Sequence, residues 1–290
     1  MMKNLTRRQF LNRSALGIGS VVAASQIPAG LYANPTAKLV KMPLGFQVWT
    51  IKDQLIKDFA GTLKKMAGLG YESVEMCSPP GYESSGFGPL MKIKAGEMKR
   101  IINDAGMQFE STHYTMNELR NSLQERIAFA AESGQKQMIL SSFGLPRGAT
   151  MNDWMKAADE LNEIGAKTKS AGIQMGFHNH HTEFEMIDGV LIYDELLKRF
   201  DPDLVKMQFQ VAVINIGFVA ADYFNKYPGR FISAHLADWS FLENKSTPLG
   251  KGIVDWNGFF AAVKKGGVKN IFVEMEPETF AESATFIHNL

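Results

Sequence analysis

Histidine and glutamate are the side chains of this 290-residue sequence best suited to chemistry. Five of its six histidines fall in three short segments, at position 113, at positions 178–181 and at position 235. Four glutamates lie in comparable apolar surroundings: Glu75, Glu183, Glu274 and Glu276. Imidazole and carboxylate groups ligate divalent metals, and they also serve as general acids and bases. These residue types therefore predict metal-assisted or acid–base chemistry, if the fold brings their segments together.

The elements that carry these residues alternate between short apolar segments and longer amphipathic ones. The predicted strands cover 44–49, 72–77, 107–113, 137–142, 173–178, 205–210, 231–236 and 270–276. The predicted helices cover 54–68, 94–105, 118–133, 152–170, 190–199, 217–227, 256–265 and 278–288. Such alternation is typical of βαβ units and a parallel sheet. Eight units in about 250 residues match the size of a closed (β/α)₈ TIM barrel.

An open doubly wound sheet is the alternative architecture for this pattern. That fold usually places a glycine-rich phosphate loop after its first strand. Here the first strand leads into Trp49-Thr50-Ile51-Lys52, which contains no glycine. We therefore predict an α/β fold with one (β/α)₈ barrel domain over residues 38–290, and we expect no nucleotide cofactor.

Strand parity indicates where the polar side chains meet. Alternate residues of a barrel strand point inward, and barrel enzymes act at the carboxyl ends of the strands. Four predicted strands each carry a pair of residues two positions apart, which therefore share one face of the strand, with apolar residues on the other face. The pairs are Gln47 with Trp49, Ser73 with Glu75, Gln208 with Gln210, and Glu274 with Glu276. A lone polar residue of this kind is usually a hydrogen-bonding partner. Buried charges are costly unless they are paired or bound to metal. A group of histidines and glutamates at one rim of the barrel therefore predicts a functional site.

Net charge and cysteine content restrict the classes of binding partner and the kind of fold that can be expected. The formal net charge is +1, which gives no reason to expect a nucleic-acid partner. The single cysteine, Cys77, excludes an intramolecular disulfide framework. A small molecule is therefore the expected partner.

The first 33 residues form a separate segment. Residues 6–11 (TRRQFL) precede a weakly apolar stretch without acidic residues, and together they resemble a twin-arginine export signal. A membrane anchor is the alternative, but the glycines, serines and proline of the stretch make a stable span unfavourable. We expect a cleavable signal over residues 1–33, a periplasmic mature protein, and no stable membrane insertion after its removal.

Several motifs resemble one enzyme family in the expected order. Residues 177–184 (FHNHHTEF) resemble the YHNHxxEF signature of sugar phosphate isomerase/epimerase proteins, which have xylose isomerase-like barrels. Residues 227–230 (YPGR) follow, and residues 235–238 (HLAD) are similar to the HVKD segment of that family. Residues 249–256 (LGKGIVDW) then resemble its GxGxxDW loop, before the segment 273–276 (VEME). The resemblance covers residues 44–290.

This resemblance implies a divalent metal, Mn²⁺, Co²⁺, Mg²⁺ or Zn²⁺, near the barrel axis. By position, its ligands would be His178, Gln210, His235 and Glu274. Relatives carry Glu-Leu-Asp on strand six, where this chain has Gln208-Phe209-Gln210. A glutamine carbonyl can ligate a hard cation but adds no negative charge. We therefore keep three alternatives: a metal held differently, through His180 or Glu183; metal-free acid–base chemistry; or sugar binding without turnover.

The activity that the resemblance implies is proton abstraction next to the carbonyl of a sugar or 3-keto-glycoside. Isomerisation, epimerisation and elimination or hydration all begin with this step. Glu274 or Glu183 is the expected base, and His113, His178 and His235 would orient or protonate substrate oxygens. Further residues are expected to contact the sugar: Trp49, Glu75, His180, Gln208, Trp239 and Glu276. The alternative is a non-catalytic sugar-binding barrel that has lost its metal-binding aspartate, and relatives suggest a homodimer.

Overall fold

The structure, a computed structural model, describes residues 40–290. The export segment predicted at residues 1–33 lies outside the described residues. Eight parallel strands close into a barrel in chain order, with the last strand paired to the first. Their bounds are β1 (Leu44–Gln47), β2 (Ser73–Cys77), β3 (Gln108–Thr115), β4 (Gln137–Ser142), β5 (Gln174–His178), β6 (Val205–Gln210), β7 (Phe231–Leu236) and β8 (Asn270–Val273). This barrel confirms the predicted fold class.

The α-helices follow the strands around the outside of the barrel. Their bounds are α1 (Lys52–Lys57), α2 (Phe59–Gly68), α3 (Ala95–Asp104), α4 (Met116–Ser133), α5 (Met151–Ser170), α6 (Ile192–Arg199), α7 (Ala220–Lys226), α8 (Trp256–Gly266) and α9 (Phe280–His288). Within residues 40–290, no helix is long and apolar enough to cross a membrane.

Three departures from the predicted elements have local causes. The helix predicted at 54–68 is divided at Asp58, whose extended backbone ends α1 and whose side chain accepts a hydrogen bond from Gly61 N in α2. Strand β1 ends at Gln47 and gives way to a 3₁₀ turn at Trp49–Ile51. Strand β8 ends at Val273, four residues before Pro277, which begins another 3₁₀ turn.

Apolar side chains on the outer face of the strands form the layer between barrel and helices. Phe209 and Phe231 on neighbouring strands both meet Phe224 of α7, with ring centroids 5.8 and 4.7 Å apart. All three rings are almost completely buried. The alternation of the strands leaves their polar residues facing inward, and Glu75, Gln208 and His235 are fully buried. The fold therefore concentrates the ionisable groups inside the barrel.

One carboxylate organises the loop between β7 and α8. Asp238 begins a hairpin of two short strands, Asp238–Ser240 and Lys245–Thr247. Its Oδ1 accepts from the backbone N–H groups of Trp239 and Val254 at 2.9 and 3.1 Å. Its Oδ2 accepts from Gly250 N and Gly252 N at 3.0 and 3.2 Å, and from the Trp256 indole at 3.0 Å. This buried carboxylate therefore holds the loop against the start of α8.

We expect Asp238→Asn to lower the free energy of unfolding by about 3 kcal/mol, because an amide nitrogen cannot accept the hydrogen bonds that one carboxylate oxygen receives. Urea denaturation followed by circular dichroism measures the change. Asp203→Asn, at an exposed position, is the matched control and should change the free energy by less than about 0.5 kcal/mol. Equal effects of the two substitutions would contradict this role for Asp238.

Candidate functional site

A small chamber opens at the carboxyl ends of the strands, where the sequence predicted a site. Its volume is about 180 Å³. Its walls are formed by Gln47, Trp49, Cys77, Tyr82, His113, Ser141, Ser142, His178, His180 and Glu274. We call this space the inner chamber. It brings together five of the predicted site residues: Trp49, His113, His178, His180 and Glu274.

Below the inner chamber, His235 lies between two carboxylates. Its Nε2 donates to Glu75 Oε1 at 2.5 Å, and its Nδ1 donates to Glu274 Oε2 at 2.8 Å. Burial would lower the pKa of His235, but the charges of Glu274 and Glu75 and their hydrogen bonds raise it to about 10. His235 is therefore an imidazolium at neutral pH, and it connects the fully buried Glu75 to Glu274.

Glu75 is the most enclosed charge of the cluster. Its Oε1 also lies 3.0 Å from His113 Nε2, while its Oε2 accepts hydrogen bonds from Ser111 Oγ and from Gln208 Nε2, the latter at 2.8 Å. Burial would raise the pKa of Glu75, but the charges and hydrogen bonds of His113 and His235 hold it well below its usual value. Glu75 therefore stays ionised and fixes the rings around it.

The two glutamines of β6 have distinct partners. Gln208 Oε1 accepts from His113 Nε2 at 2.7 Å, and its Nε2 donates to Ser233 Oγ at 2.9 Å as well as to Glu75. Gln210 Nε2 donates to Glu274 Oε2 at 2.7 Å, and its Oε1 accepts from Ala212 N at 3.1 Å. Both amides thus act as donors toward carboxylates, which an aspartate or glutamate at either position cannot do.

Three histidines could hold a metal ion. His113, His178 and His235 are all buried, and their potential ligand atoms lie within 4.8 Å of one another. Among the described residues, His178 Nδ1 is a buried nitrogen without a hydrogen-bond partner. Burial, and then the charges of the neighbouring histidines, hold the pKa of His178 well below its usual value, so its ring is neutral and able to ligate. This donor set fits a cation that accepts nitrogen ligands.

The predicted ligand set differs in part from this cluster. His178 and His235 belong to both sets, whereas the cluster includes His113 in place of Gln210 and Glu274. Gln210 and Glu274 lie beside His235, and they are connected to it through Glu274 Oε2. Because His235 donates from both ring nitrogens, metal binding there would require the loss of a proton.

Aromatic rings form one wall of the inner chamber. Trp49 stacks on Phe87 with ring centroids 6.2 Å apart and meets Tyr82 edge to face at 5.9 Å. Tyr82 Oη donates to Ser141 Oγ at 2.5 Å. Trp49 remains 40% exposed, which leaves part of its ring open to a ligand. The predicted role of Trp49 in sugar stacking is compatible with this position.

Glu183 and His181 lie away from the inner chamber. Glu183 lines a second cavity of about 770 Å³, and its Oε2 accepts from His180 N at 2.6 Å. Burial raises the pKa of Glu183 to about 7 against the opposing effect of the backbone hydrogen bond from His180. His181 is exposed and contacts Asn215 through its ring at 2.8 Å.

Four of the predicted sugar contacts do not line the inner chamber: Glu75 and Gln208, which are fully buried, and Glu276 and Trp239. Glu276 is exposed at the start of the turn that follows β8. Trp239 is half-buried in the hairpin that Asp238 begins, and its backbone carbonyl accepts from Ile253 N at 3.1 Å. Neither side chain is among those that line the chamber.

Sequence reasoning missed several small polar residues of the site. Ser111 and Ser233 complete the hydrogen bonding of Glu75 and Gln208, and Asn179 Oδ1 accepts from Gln210 N at 3.1 Å. Ser111 and Ser233 lie on inward faces two residues before His113 and His235, so strand parity could have indicated them. Asn179 lies inside the FHNHHTEF motif, but nothing in its type distinguishes a structural amide from a ligand.

Comparisons with known proteins agree with this architecture. Residues 63–290 match the family model described as "Xylose isomerase-like TIM barrel". A search of curated proteins finds no significant match. Among solved structures, the chain is similar to a sugar phosphate isomerase/epimerase from Parabacteroides distasonis, with a TM-score of 0.71 and 23% identity over 85% of this chain and 94% of that one.

Two further structures show the same fold at lower identity. One is the probable 3-DHS dehydratase AsbF of petrobactin synthesis from Bacillus anthracis, with a TM-score of 0.67 and 11% identity over 85% of this chain and 99% of that one. The other is the IOLI protein with a bound zinc atom, with a TM-score of 0.61 and 16% identity over 86% of this chain and 95% of that one. At these identities the likeness shows the fold alone.

We expect the buried Glu183 to make stability depend on pH. Because its folded pKa of about 7 lies above its ordinary value of 4.5, its contribution is full below pH 4.5 and is lost as pH rises through 7. The loss is on the order of 3 kcal/mol. Glu183→Gln keeps an acceptor for His180 N but cannot ionise, so the variant should lose correspondingly less stability between pH 5 and pH 8.

Urea denaturation at a series of pH values measures this difference. Glu278→Gln, at an exposed position whose charge does not act on Glu183, is the control and should follow the wild-type pH dependence. Parallel stability curves for wild type and Glu183→Gln would contradict a raised pKa at Glu183.

Proposed function

The chain belongs to the xylose isomerase-like TIM barrel family, and from this premise we propose that it is a carbohydrate-acting enzyme that removes a proton next to a carbonyl group. The observation that carries the proposal is the cluster in which Glu274, on the wall of a chamber of about 180 Å³, is connected through His235 to the buried Glu75. In α/β barrels, residues at the carboxyl ends of strands are those that act on substrate. The sugar phosphate isomerase/epimerase and dehydratase names of similar structures support this general class of reaction.

Glu274 is the base in this proposal. Its side chain is 18% exposed and lines the inner chamber, whereas Glu75 is completely enclosed. Hydrogen bonds from His235 Nδ1 and Gln210 Nε2 fix one carboxylate oxygen. The carboxylate takes the proton from the carbon next to the carbonyl, the electron pair of that C–H bond forms a C=C bond to the carbonyl carbon, and the carbonyl π pair moves onto the oxygen.

The imidazoles around the inner chamber stabilise the resulting negative charge. His113 and His178 both line the chamber and lie with ring centroids 5.1 Å apart. The ring of His178, whose Nδ1 has no hydrogen-bond partner, can donate an N–H to the developing oxyanion, whereas the Nε2–H of His113 already contacts Gln208 and Glu75. Return of the proton to a different carbon or face gives isomerisation or epimerisation, and departure of a β-oxygen group gives elimination.

A divalent cation held by His113, His178 and His235 would supply Lewis-acid polarisation of the substrate carbonyl. The nitrogen-rich donor set favours Zn²⁺ or Co²⁺ over Mg²⁺, which prefers oxygen ligands. The chain's own groups still orient the sugar, because Trp49, Tyr82 and Ser141 form the opposite wall.

A non-catalytic sugar-binding barrel is the second candidate. Its support is the pairing of both carboxylates, since Gln210 donates to Glu274 and Gln208 donates to Glu75. In this second candidate the paired carboxylates shape a binding site and take up no proton from the ligand. Saturable sugar binding without any exchange of substrate protons would favour this candidate.

We propose further that the barrel acts after export. The basis is the twin-arginine-like segment TRRQFL followed by an apolar stretch. Removal of residues 1–33 takes away four basic side chains and leaves 27 basic against 30 acidic ones. A sugar or glycoside outside the cytoplasm is the substrate that this location favours.

Proton abstraction is tested by solvent exchange. We expect wild-type protein in D₂O to introduce deuterium next to the carbonyl of at least one member of a panel of keto-sugars and 3-keto-glycosides, detected by proton NMR. Glu274→Gln should reduce the exchange rate at least 100-fold, because the base is lost (about 2.7 kcal/mol in barrier). Glu278→Gln, exposed in the following turn, should leave the rate unchanged. Undiminished exchange in Glu274→Gln would sink the assignment.

Metal binding is tested separately from activity. We expect the chelator-treated protein to take up one equivalent of Zn²⁺ or Co²⁺ in equilibrium dialysis with elemental mass spectrometry. His178→Gln should weaken this uptake at least tenfold because it removes a buried imidazole ligand. His181→Gln, at an exposed position three residues after His178, is the matched control. Equal uptake by the two variants, or none by wild type, would exclude the three-histidine site.

A further inference from the structure

The inner chamber adjoins a much larger cavity on the same face of the barrel. This outer cavity has a volume of about 770 Å³. It is lined by Ser142, residues 145–149, Trp154, His180, Thr182, Glu183, Glu185, Ile187 and Ile192. Ser142 and His180 line both spaces, so these two side chains form the boundary between them.

The two volumes suit ligands of different size. Pockets for drug-sized ligands measure about 300–1,000 Å³. The inner chamber, at about 180 Å³, lies below this range and has room for one small ring. The outer cavity lies well within it. A molecule that fills both spaces has a compact part beside Glu274 and a larger part beyond His180.

The chemistry of the outer cavity indicates what the larger part is. Leu145, Pro146, Trp154, Ile187 and Ile192 give it an apolar surface. Such a surface suits the face of a sugar ring or an aromatic group, each of which stacks on apolar side chains.

The charges of the outer cavity argue against a phosphorylated ligand. Arg147 is the arginine of its lining, and two glutamates, Glu183 and Glu185, belong to the same lining. A phosphate placed there would meet the Glu185 carboxylate as well as the guanidinium, and like charges at short distance repel. An uncharged group avoids this repulsion.

We propose that the substrate is a neutral two-part glycoside, whose reacting sugar occupies the inner chamber and whose second sugar or aglycone occupies the outer cavity. This inference rests on the proposed function, because it takes Glu274 as the group facing the reacting ring. The bond between the two parts then lies at the boundary formed by Ser142 and His180. The outer cavity sets the substrate preference, while the inner chamber carries the chemistry.

Calorimetric titration of the full mature protein tests this proposal. The probes are glucose, galactose, mannose and xylose, their phenyl β-glycosides, and glucose 6-phosphate. We expect at least one phenyl glycoside to bind ten or more times tighter than its parent sugar. Ala149→Phe fills the outer cavity and should abolish this preference while leaving the parent sugar's Kd within twofold.

Controls separate the outer cavity from general effects of a bulky substitution. Ala281→Phe, exposed on α9, should retain the glycoside preference. Thr182→Trp blocks the outer cavity from another side and should repeat the result of Ala149→Phe even if that variant folds poorly.

Three results would overturn the proposal: equal affinity for glycosides and parent sugars, tighter binding of glucose 6-phosphate than of any glycoside, or no binding of any probe. Failure of the proposed chemistry looks different. Glycosides would then bind with the expected preference, yet neither they nor their keto forms would exchange protons in D₂O. Conversely, exchange with monosaccharides at the same KM as with glycosides would retain the chemistry and exclude the outer subsite.

Discussion

The enclosed charge of Glu75 is the constraint on which the interior of this barrel depends. A carboxylate with no access to water must be compensated by neighbouring donors, or it would be strongly destabilising. His113, His235, Ser111 and Gln208 provide these donors from strands β3, β6 and β7. Two of these donors also bind further partners, His235 to Glu274 and Gln208 to Ser233, so one buried charge holds together a connected network below the inner chamber.

This constraint gives the glutamines of β6 a physical explanation. Gln208 bridges His113 and Glu75, accepting from one and donating to the other. A glutamate there would place a second carboxylate against Glu75, where like charges repel. The two glutamines, at positions where the resemblance implies acidic residues, are thus part of a consistent network. Their amide N–H groups donate hydrogen bonds to the carboxylates of Glu75 and Glu274.

Sequence periodicity predicted the fold well because a barrel repeats one simple pattern eight times. It also predicted that His113, His178, His235, Glu75 and Glu274 converge, since strand ends of a closed parallel sheet share one rim. It could not predict which groups pair. Gln208 and Glu75 are 133 positions apart in sequence, and their contact depends on the register and local bulges of several strands. The break at Asp58 was missed for a different reason, because a single capping aspartate overrides an otherwise continuous helical pattern.

The five hydrogen bonds to Asp238 have a consequence for the dynamics of the rim. The amides of Gly250, Gly252 and Val254 lie in a stretch with little regular secondary structure, and they would ordinarily exchange with solvent during small local openings. Here all three share one buried acceptor with the Trp256 indole of α8. Releasing one of these N–H groups disturbs the same carboxylate that holds the others, so we expect the loop to open as one unit. Its amides should then be protected from hydrogen exchange as strongly as those of a core element.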